Sequence, residues 1–107
     1  MGEEILPEVL EFEWDEGNRT KSWIKHRVSA KEQEQAFLAR GKFVLEDKKH
    51  SEKEKRLLLY SKTKKGRKLI VAFTVRIVDE RDKIRPISAR PMNRKEALIY
   101  EEKIKMA

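Results

Sequence analysis

Residues 68–90, KLIVAFTVRIVDERDKIRPISAR, constrain the fold more than any other stretch, because two apolar, β-branched runs flank a charged segment. In a β-strand, successive side chains point to opposite faces of the sheet. The first run, residues 68–76, is largely apolar on both faces, which is typical of a central strand. The charged VDERDK segment predicts a turn, and residues 84–90 predict a second strand. We therefore expect a β-hairpin around which the other elements pack.

The amino-terminal part is expected to hold one short strand and one short helix. Residues 1–9 are acidic and interrupted by a proline, and they are expected to be a frayed lead-in. A strand at residues 10–14 follows. Residues 18–26 then predict a short basic helix, for which Asp15 is the expected cap.

Two capping boxes mark the starts of longer helices. Ser29 with Glu32, and Asn93 with Glu96, have the spacing at which each side chain satisfies a backbone N–H of the other residue. The first helix is expected to run to about residue 40 and to end at Gly41 in a left-handed conformation. The second is expected to run to about residue 103.

Between these helices, residues 42–47 and 57–61 have strand character, and a tip at residues 64–66 leads back into the hairpin. The predicted order is a short strand, two helices, four antiparallel strands and a carboxy-terminal helix. With 107 residues the chain is most simply one α+β domain. We expect the helices to cover one face of an antiparallel meander and to leave the other face for a ligand.

The charge of the chain is unevenly distributed. Residues 1–17 hold seven acidic residues and no Lys or Arg. Residues 18–107 hold all 26 basic residues and the other 12 acidic ones, which gives them a net charge of +14. Such a surface attracts polyanions and releases their counterions. Nucleic acid is therefore the expected partner, ahead of an anionic membrane, for which no suitable amphipathic helix is predicted.

Metal centres, disulfides and membrane spans are not expected. The chain has no cysteine, and its two histidines could form a metal centre only with carboxylate ligands. The longest apolar run, LIVAF, is far shorter than the roughly 20 residues that span a bilayer. The acidic amino terminus also lacks the positive charge of a secretory leader. We expect a soluble, cytoplasmic protein without a metal or other cofactor.

Several short motifs occur in an order that resembles a known family. The segments are FEWDEGNRTKSWIKHRVS, EDKKHSEKEKR, VAFTVR and KIRPISARPMNRKEALIYEE, and the motifs within them are WD, KHxVS, DxxHSxxExR, TxR, ISAR and RxExxxYE. Together they resemble the BrnT family of bacterial type II toxins. The resemblance implies a RelE-like ribonuclease fold and metal-independent RNA cleavage that inhibits translation. It also implies a ribbon-helix-helix antitoxin, BrnA, and binding to operator DNA only through the toxin–antitoxin complex.

The chain departs from the family pattern near the turn between the first two helices. Arg27 stands where members often have glycine, Ala30 stands where they often have an aromatic residue, and Ser22 replaces a common asparagine. Glycine at this turn would accept a positive φ that arginine resists. The departures therefore concern the geometry of the turn rather than the fold.

The resemblance implies that four arginines are catalytic, namely Arg56, Arg76, Arg85 and Arg90. Without a metal, RNA is cleaved most easily when its own 2′-hydroxyl attacks phosphorus, and fixed cations then stabilise the developing charge. For any one of these arginines alone, a solvated strand position or a surface ion pair is the better explanation, and the catalytic role gains support only from the four together. Arg85 and Arg90 have opposite strand parities, so both can face one substrate only if a bulge or bend intervenes near Pro86.

Histidine commonly exchanges protons near neutral pH, and the chain has two histidines, His26 and His50. His26 is the expected catalytic proton-transfer group, although the dipole at a helix end also explains a histidine there. His50 and Glu54 are expected to contact substrate, and Glu54 could instead pair with Arg56.

Three lysines, Lys25, Lys64 and Lys65, are expected to contact the RNA backbone and to steer substrate without selecting its sequence. The same basic surface also fits a different class of function. The alternative is a non-catalytic RNA-binding module or an operon co-repressor.

The two tryptophans, Trp14 and Trp23, are assigned to the core, and Ile24 is expected to be buried beside Trp23. Aromatic side chains can also stack on the bases of single-stranded RNA. We favour the core role because the amino-terminal half has few other large apolar residues.

Overall fold

The structure, a computed structural model, describes residues 3–106. Its elements are α1 (Lys21–His26), α2 (Ala30–Leu38), β1 (Phe43–Glu46), β2 (Leu57–Lys62), β3 (Lys68–Val78), β4 (Arg81–Pro91) and α3 (Arg94–Lys105), with a 3₁₀ turn at Lys48–His50. The strands form one antiparallel sheet in chain order, which confirms the α+β class and the antiparallel meander. None of the helices in this range has the length and hydrophobicity of a transmembrane segment.

Strands β3 and β4 form the hairpin predicted for residues 68–90, but its turn is tighter than expected. Only Asp79 and Glu80 lie between the strands, with φ values of 52° and 64°. Two left-handed residues in a two-residue loop match the right-handed twist of paired strands. Most of the charged VDERDK segment therefore belongs to the strands and not to the loop.

A β-bulge interrupts β4. Ala72 of β3 lies opposite Ser88, whereas Phe73 lies opposite Pro86, so Ile87 is an extra residue without a partner in the register. One extra residue reverses the facing of every residue that follows it in the strand. The possibility raised by the sequence, a bulge near Pro86, is therefore realised.

The core lies between α2 and one face of the sheet. The ring of Phe37 from α2 is buried and meets Phe12 and Phe73 edge to face, with centroid separations of 5.4 and 4.9 Å. The other buried members of this cluster are Val28, Ala36, Val44, Leu57, Leu59, Leu69, Val71, Ile84 and Ala89. These residues cover the sheet face that packs on α2.

Helix α3 packs on the opposite face of the sheet, so the expectation that all helices cover one face is wrong. Tyr100 of α3 is buried and stacks on Phe43, with ring centroids 6.2 Å apart. Phe43 stacks in turn on Tyr60, its partner across β1 and β2, at 4.8 Å. This aromatic stack covers the β1 end of that face.

Both predicted capping boxes are present. Ser29 Oγ accepts the N–H of Glu32, and the carboxylate of Glu32 accepts the N–H of Ser29, both at 3.0 Å. Asn93 and Glu96 exchange equivalent bonds of 2.9 and 2.8 Å at the start of α3. These pairs satisfy backbone donors that the first helical turn leaves free.

Helix α2 ends at Leu38, earlier than predicted, and Gly41 is not its left-handed cap. The residue after the helix, Ala39, is extended, and Gly41 is not among the positive-φ glycines of the described chain. Gly41 instead lies close to α3, since an added Cβ would be 3.3 Å from the side chain of Ile104 and the carbonyl of Gly41 accepts the hydroxyl of Tyr100.

The amino-terminal segment forms a single bridge in place of the strand predicted at residues 10–14. Phe12 pairs in parallel with Ile84 of β4. The acidic lead-in, predicted to be frayed, contacts the far edge of the sheet, where the N–H of Glu4 donates to the carbonyl of Val44 at 2.8 Å. The first two residues of this lead-in lie outside the described range.

Helix α1 is shorter than predicted and begins after Thr20, which is its cap residue. Asp15 caps the preceding turn instead, because its carboxylate accepts the N–H of Gly17 at 2.8 Å. Trp14 is only partly buried, and its indole N–H donates to Glu34 at 2.7 Å.

The buried residue of α1 is Ser22, which is 2% exposed and accepts the N–H of Ala89 through its Oγ at 2.6 Å. This contact turns Ser22 towards β4. Trp23 and Ile24 are consequently 46% and 71% exposed, so the prediction that they are buried is wrong.

Arg27 ends α1 in the left-handed region, with φ 56° and ψ 39°, where a Cβ is disfavoured by roughly 1–2 kcal/mol. We expect Arg27→Gly to have a free energy of unfolding about 1 kcal/mol above that of Arg27→Ala. Both variants lose the guanidinium, so urea denaturation of the pair isolates the backbone effect. Equal midpoints would contradict the assigned strain.

Candidate functional site

The bulge places the hairpin arginines on one face of the sheet. Arg85 lies opposite Thr74, and Arg90 lies opposite Ile70. Because Thr74 and Ile70 are four residues apart in β3, they share a face, and Arg76 shares it too. The face in question is the one opposite α2.

A cavity of about 310 Å³, which we call the sheet-face cavity, lies on this face. Its polar lining comes from α1, the segment after β1, β2 and β4, and consists of His26, Asp47, His50, Arg56, Tyr60, Ser88 and Arg90. Four of the residues singled out in the sequence, two histidines and two arginines, therefore surround one cavity.

A second cavity, of about 360 Å³, adjoins the first, and we call it the adjoining cavity. His50 and Arg56 line both cavities, and Thr74, Ile87 and Glu54 line only the adjoining one. We call the two cavities together the groove, since His50 and Arg56 connect them.

Arg56 stands where the two cavities meet. Its backbone N–H donates to Ser51 Oγ at 3.0 Å, and its carbonyl accepts the N–H of Asp47 at 2.8 Å. Within residues 3–106 its guanidinium has no carboxylate or hydrogen-bond partner. The strand end is thus anchored through the backbone, and the charged group is available to a ligand.

Arg90 is held by a carboxylate. Its two terminal nitrogens donate to the two oxygens of Glu96, each at 2.7 Å. The hydrogen bond from Arg90 lowers the pKa of Glu96, and the carboxylate raises the pKa of Arg90. The fork of Arg90 is thereby fixed beside the sheet-face cavity.

Arg76 and Arg85 are also paired with carboxylates. Arg76 donates to both oxygens of Glu54 at 3.1 and 3.3 Å, and Arg85 donates to both oxygens of Asp15 at 2.8 and 3.1 Å. Glu13 lies between them, 3.4 Å from each guanidinium. Hydrogen bonding lowers the pKa of Asp15 and raises the pKa of both arginines.

The pairing of Glu54 answers a question that the sequence left open. Glu54 pairs with Arg76 and not with Arg56.

The two histidines are held differently. His50 Nδ1 lies 2.8 Å from Asp47 Oδ2, an orientation that leaves Nε2 for a ligand. At the end of α1, Arg67 donates to the carbonyls of His26 and Arg27 at 3.0 and 2.7 Å. These bonds fix the backbone at His26, whose ring has no hydrogen-bond partner in the described chain.

The three lysines lie away from the two cavities. Lys64 lines a separate cavity of about 510 Å³ beside α2, and its backbone N–H donates to Gln35 at 3.1 Å. Lys25 and Lys65 are exposed and line neither the sheet-face nor the adjoining cavity. Any contact of these lysines with a ligand would lie outside the groove.

Several residues of the groove were not selected from the sequence, among them Tyr60 and Thr74. Tyr60 lines the sheet-face cavity, and burial raises the pKa of its hydroxyl. Thr74 is 3% exposed, and its Oγ1 has no hydrogen-bond partner. The TxR motif contained the signal for Thr74, because residues two apart in a strand share a face with Arg76.

The groove offers fixed cations, hydrogen-bond donors and two imidazoles. In the part of the chain that the structure describes, no three His, Cys, Asp or Glu side chains form a group that could hold a metal ion. Guanidinium groups and imidazoles in one groove can bind a phosphate and move protons beside it.

Residues 14–96 match the family model of BrnT, described as a ribonuclease toxin of type II toxin-antitoxin systems. The match covers every candidate site residue and both cavities of the groove. No curated protein matches the chain.

The pairing of Arg90 with Glu96 predicts a dependence of stability on acid. Because the folded state lowers the pKa of Glu96, the pair stabilises the fold above the ordinary carboxyl range, and this stabilisation is lost as pH falls. Glutamine keeps the capping geometry but not the charge. The free energy of unfolding of the parent chain should fall between about pH 6 and pH 3. In Glu96→Gln we expect this fall to be smaller by about 0.5 kcal/mol.

The measurement is the urea midpoint across that pH range. Glu102→Gln, on the exposed side of the same helix, is the matched control and should follow the parent chain. The assignment is wrong if Glu96→Gln and the parent chain lose stability in parallel.

Proposed function

Because this chain belongs to the BrnT family of ribonuclease toxins of type II toxin–antitoxin systems, we propose that it cleaves RNA in the sheet-face cavity and so inhibits translation. The observation that carries this assignment is the convergence of His26, His50, Arg56 and Arg90 on that cavity. The proposed reaction needs no metal. The 2′-hydroxyl of RNA attacks the adjacent phosphorus, the bond to the 5′-oxygen breaks, and a 2′,3′-cyclic phosphate forms.

Arg56 is the first cation that a substrate phosphate would meet, because its guanidinium is not committed to a carboxylate. Arg76, Arg85 and Arg90 already hold carboxylates in the forked geometry that a phosphate would take. A phosphate can therefore exchange with these carboxylates without reorienting the arginines. Arg56 and Arg90, which line the sheet-face cavity, are proposed to stabilise the charge that develops on the phosphorane directly. Arg76 and Arg85 share that sheet face but line neither cavity, and they are proposed to stabilise the same charge from further away.

Proton transfer is assigned to the histidines. In the proposed mechanism His26 accepts the proton of the 2′-hydroxyl, and His50, oriented by Asp47, donates a proton to the departing 5′-oxygen. Glu54 lies in the adjoining cavity, where it positions Arg76. Lys25, Lys64 and Lys65 are proposed to steer RNA from outside the groove.

Membership of the family also brings an antitoxin partner and an RNA substrate. We propose that the antitoxin is a BrnA-like ribbon-helix-helix protein and that operator DNA is bound only through the toxin–antitoxin complex. The α+β sheet with its hairpin arginines is compatible with the RelE-like ribonuclease superfamily, to which we assign it. The proposed place of action is the cytoplasm.

The ion pairs favour one alternative. Three of the four candidate arginines are neutralised by carboxylates, which suits a protein that binds RNA, or acts as an operon co-repressor, without cleaving it. The two functions differ in a simple observable, the integrity of bound RNA.

Purified protein incubated with RNA in EDTA is expected to generate cyclic phosphate ends. Arg56→Ala should lower the cleavage rate by about 10²–10³, because a fixed cation at the phosphorane is lost. Lys105→Ala, at the exposed carboxy-terminal end of α3, is the matched control and should cleave normally. Intact RNA retained in a salt-dependent way would support the non-cleaving alternative, and full activity of Arg56→Ala would refute the assigned role of Arg56.

His26→Gln should lower the cleavage rate by about 10²-fold or more, because glutamine can hydrogen-bond but cannot carry the proton. The pH–rate profile distinguishes proton transfer from positioning. We expect one limb of the profile to disappear in the variant. A uniform loss of rate that leaves the profile unchanged would assign His26 to positioning alone.

A further inference from the structure

Trp23 is a large aromatic side chain that the core does not use. It is 46% exposed, because the bond between Ser22 and Ala89 turns the buried side of α1 away from it. A single exposed aromatic residue is ordinary on a protein surface. Its position and its charged surroundings give it a more specific meaning here.

Trp23 lies next to the wall of the sheet-face cavity. Successive residues of an α-helix are about 100° apart around its axis. Trp23 therefore lies about 100° from Ser22, and His26, four residues after Ser22, lies about 40° from it in the same direction. His26 is therefore between the buried side of α1 and Trp23. Since His26 lines the sheet-face cavity, Trp23 borders the outer side of that wall.

The surroundings of Trp23 are cationic. Residues 18–31 contain no Asp or Glu, and their basic residues are Arg19, Lys21, Lys25, Arg27 and Lys31. The guanidinium of Arg27 lies over the indole ring, 5.4 Å from its centroid. An aromatic plane beside a stacked guanidinium and surrounded by positive charge is complementary to a nucleobase and its backbone phosphates.

We propose that Trp23 and Arg27 form a stacking platform for one base of single-stranded RNA whose neighbouring phosphate occupies the sheet-face cavity. This platform rests on the proposed function in one respect, the binding of RNA at that cavity. Stacking uses the face common to all bases, so the platform should select single strands over duplexes with little sequence preference. A segment of the antitoxin is the competing occupant.

The favoured occupant is RNA because the exposed apolar surface on this helix is small. It consists of Trp23 and Ile24, and cations flank both residues. A protein partner would need an extended apolar centre, whereas a single-stranded nucleic acid needs one aromatic plane within a basic surface.

Binding can be measured without cleavage by using a 2′-O-methyl oligoribonucleotide, in which the attacking hydroxyl is blocked. An abasic strand of equal length is the matched probe without a stacking partner. In a Trp14→Phe background the fluorescence reports Trp23 alone, since the chain has two tryptophans. We expect the base-bearing strand to quench this fluorescence and the abasic strand to leave it unchanged.

Trp23→Leu should weaken binding of the base-bearing strand about tenfold and should leave binding of the abasic strand unchanged. Trp23→Phe retains an aromatic face and should keep most of the affinity. Unchanged binding in Trp23→Leu, or equal losses for the two strands, would overturn the platform. The platform would also be overturned if Trp23→Leu bound RNA normally but could no longer be neutralised by the antitoxin.

The remaining outcomes separate the platform from the proposed function. If the parent chain binds and is quenched by the base-bearing strand but leaves unmodified RNA intact, catalysis is refuted and the platform is supported. If the parent chain binds neither strand, both the RNA-binding part of the proposed function and the platform are refuted.

Discussion

The packing of Phe37 between Phe12 and Phe73 determines which face of the sheet is open. Helix α2 delivers this ring to one face, and the core cluster fills that face. Residues of the other parity in β3, including Thr74 and Arg76, must then face away from α2. Helix α3 covers only the β1 end of that side, so the groove is built on strands whose positions the core fixes.

The second organising feature is the distribution of carboxylates. Partners for the sheet-face arginines come from segments far apart in the chain, with Asp15 before α1, Glu54 before β2 and Glu96 in α3. Exposed ion pairs contribute little to stability individually. Their effect here is to hold these guanidinium groups in fixed orientations, and Arg76 and Arg85 also share Glu13. This also accounts for part of the acidic amino-terminal segment, since Glu13 and Asp15 belong to it.

Local signals were enough for much of the fold. The capping boxes and the hairpin depend on residues within a few positions of one another, and both were predicted correctly. The failures involve distant contacts. Helix α1 has under two turns, so its sequence could not show that a bond from Ser22 to Ala89 would expose Trp23. Likewise, the contact of α3 with Phe43 placed that helix on the unexpected face.

For the site, each of the four candidates that line the sheet-face cavity could be selected from the sequence, but their convergence could not. It required the bulge at Ile87, the fold of the charged segment after β1 and the position of α1 over β4. Thr74 was missed although the TxR motif held its signal, and Tyr60 was missed because its sequence position does not show that it lines a cavity.

The bulge reconciles the five-residue spacing of Arg85 and Arg90 with their shared face. An in-frame deletion of the single codon for Ile87 would leave every charged residue and nearly the whole composition unchanged. It would also keep Arg90 on the groove face, because Arg85 and Arg90 would then lie four residues apart in a regular strand and each later residue would keep its partner in β3. For the same reason, a relative whose alignment shows a gap at this codon can present the same side chains to the groove from a regular strand.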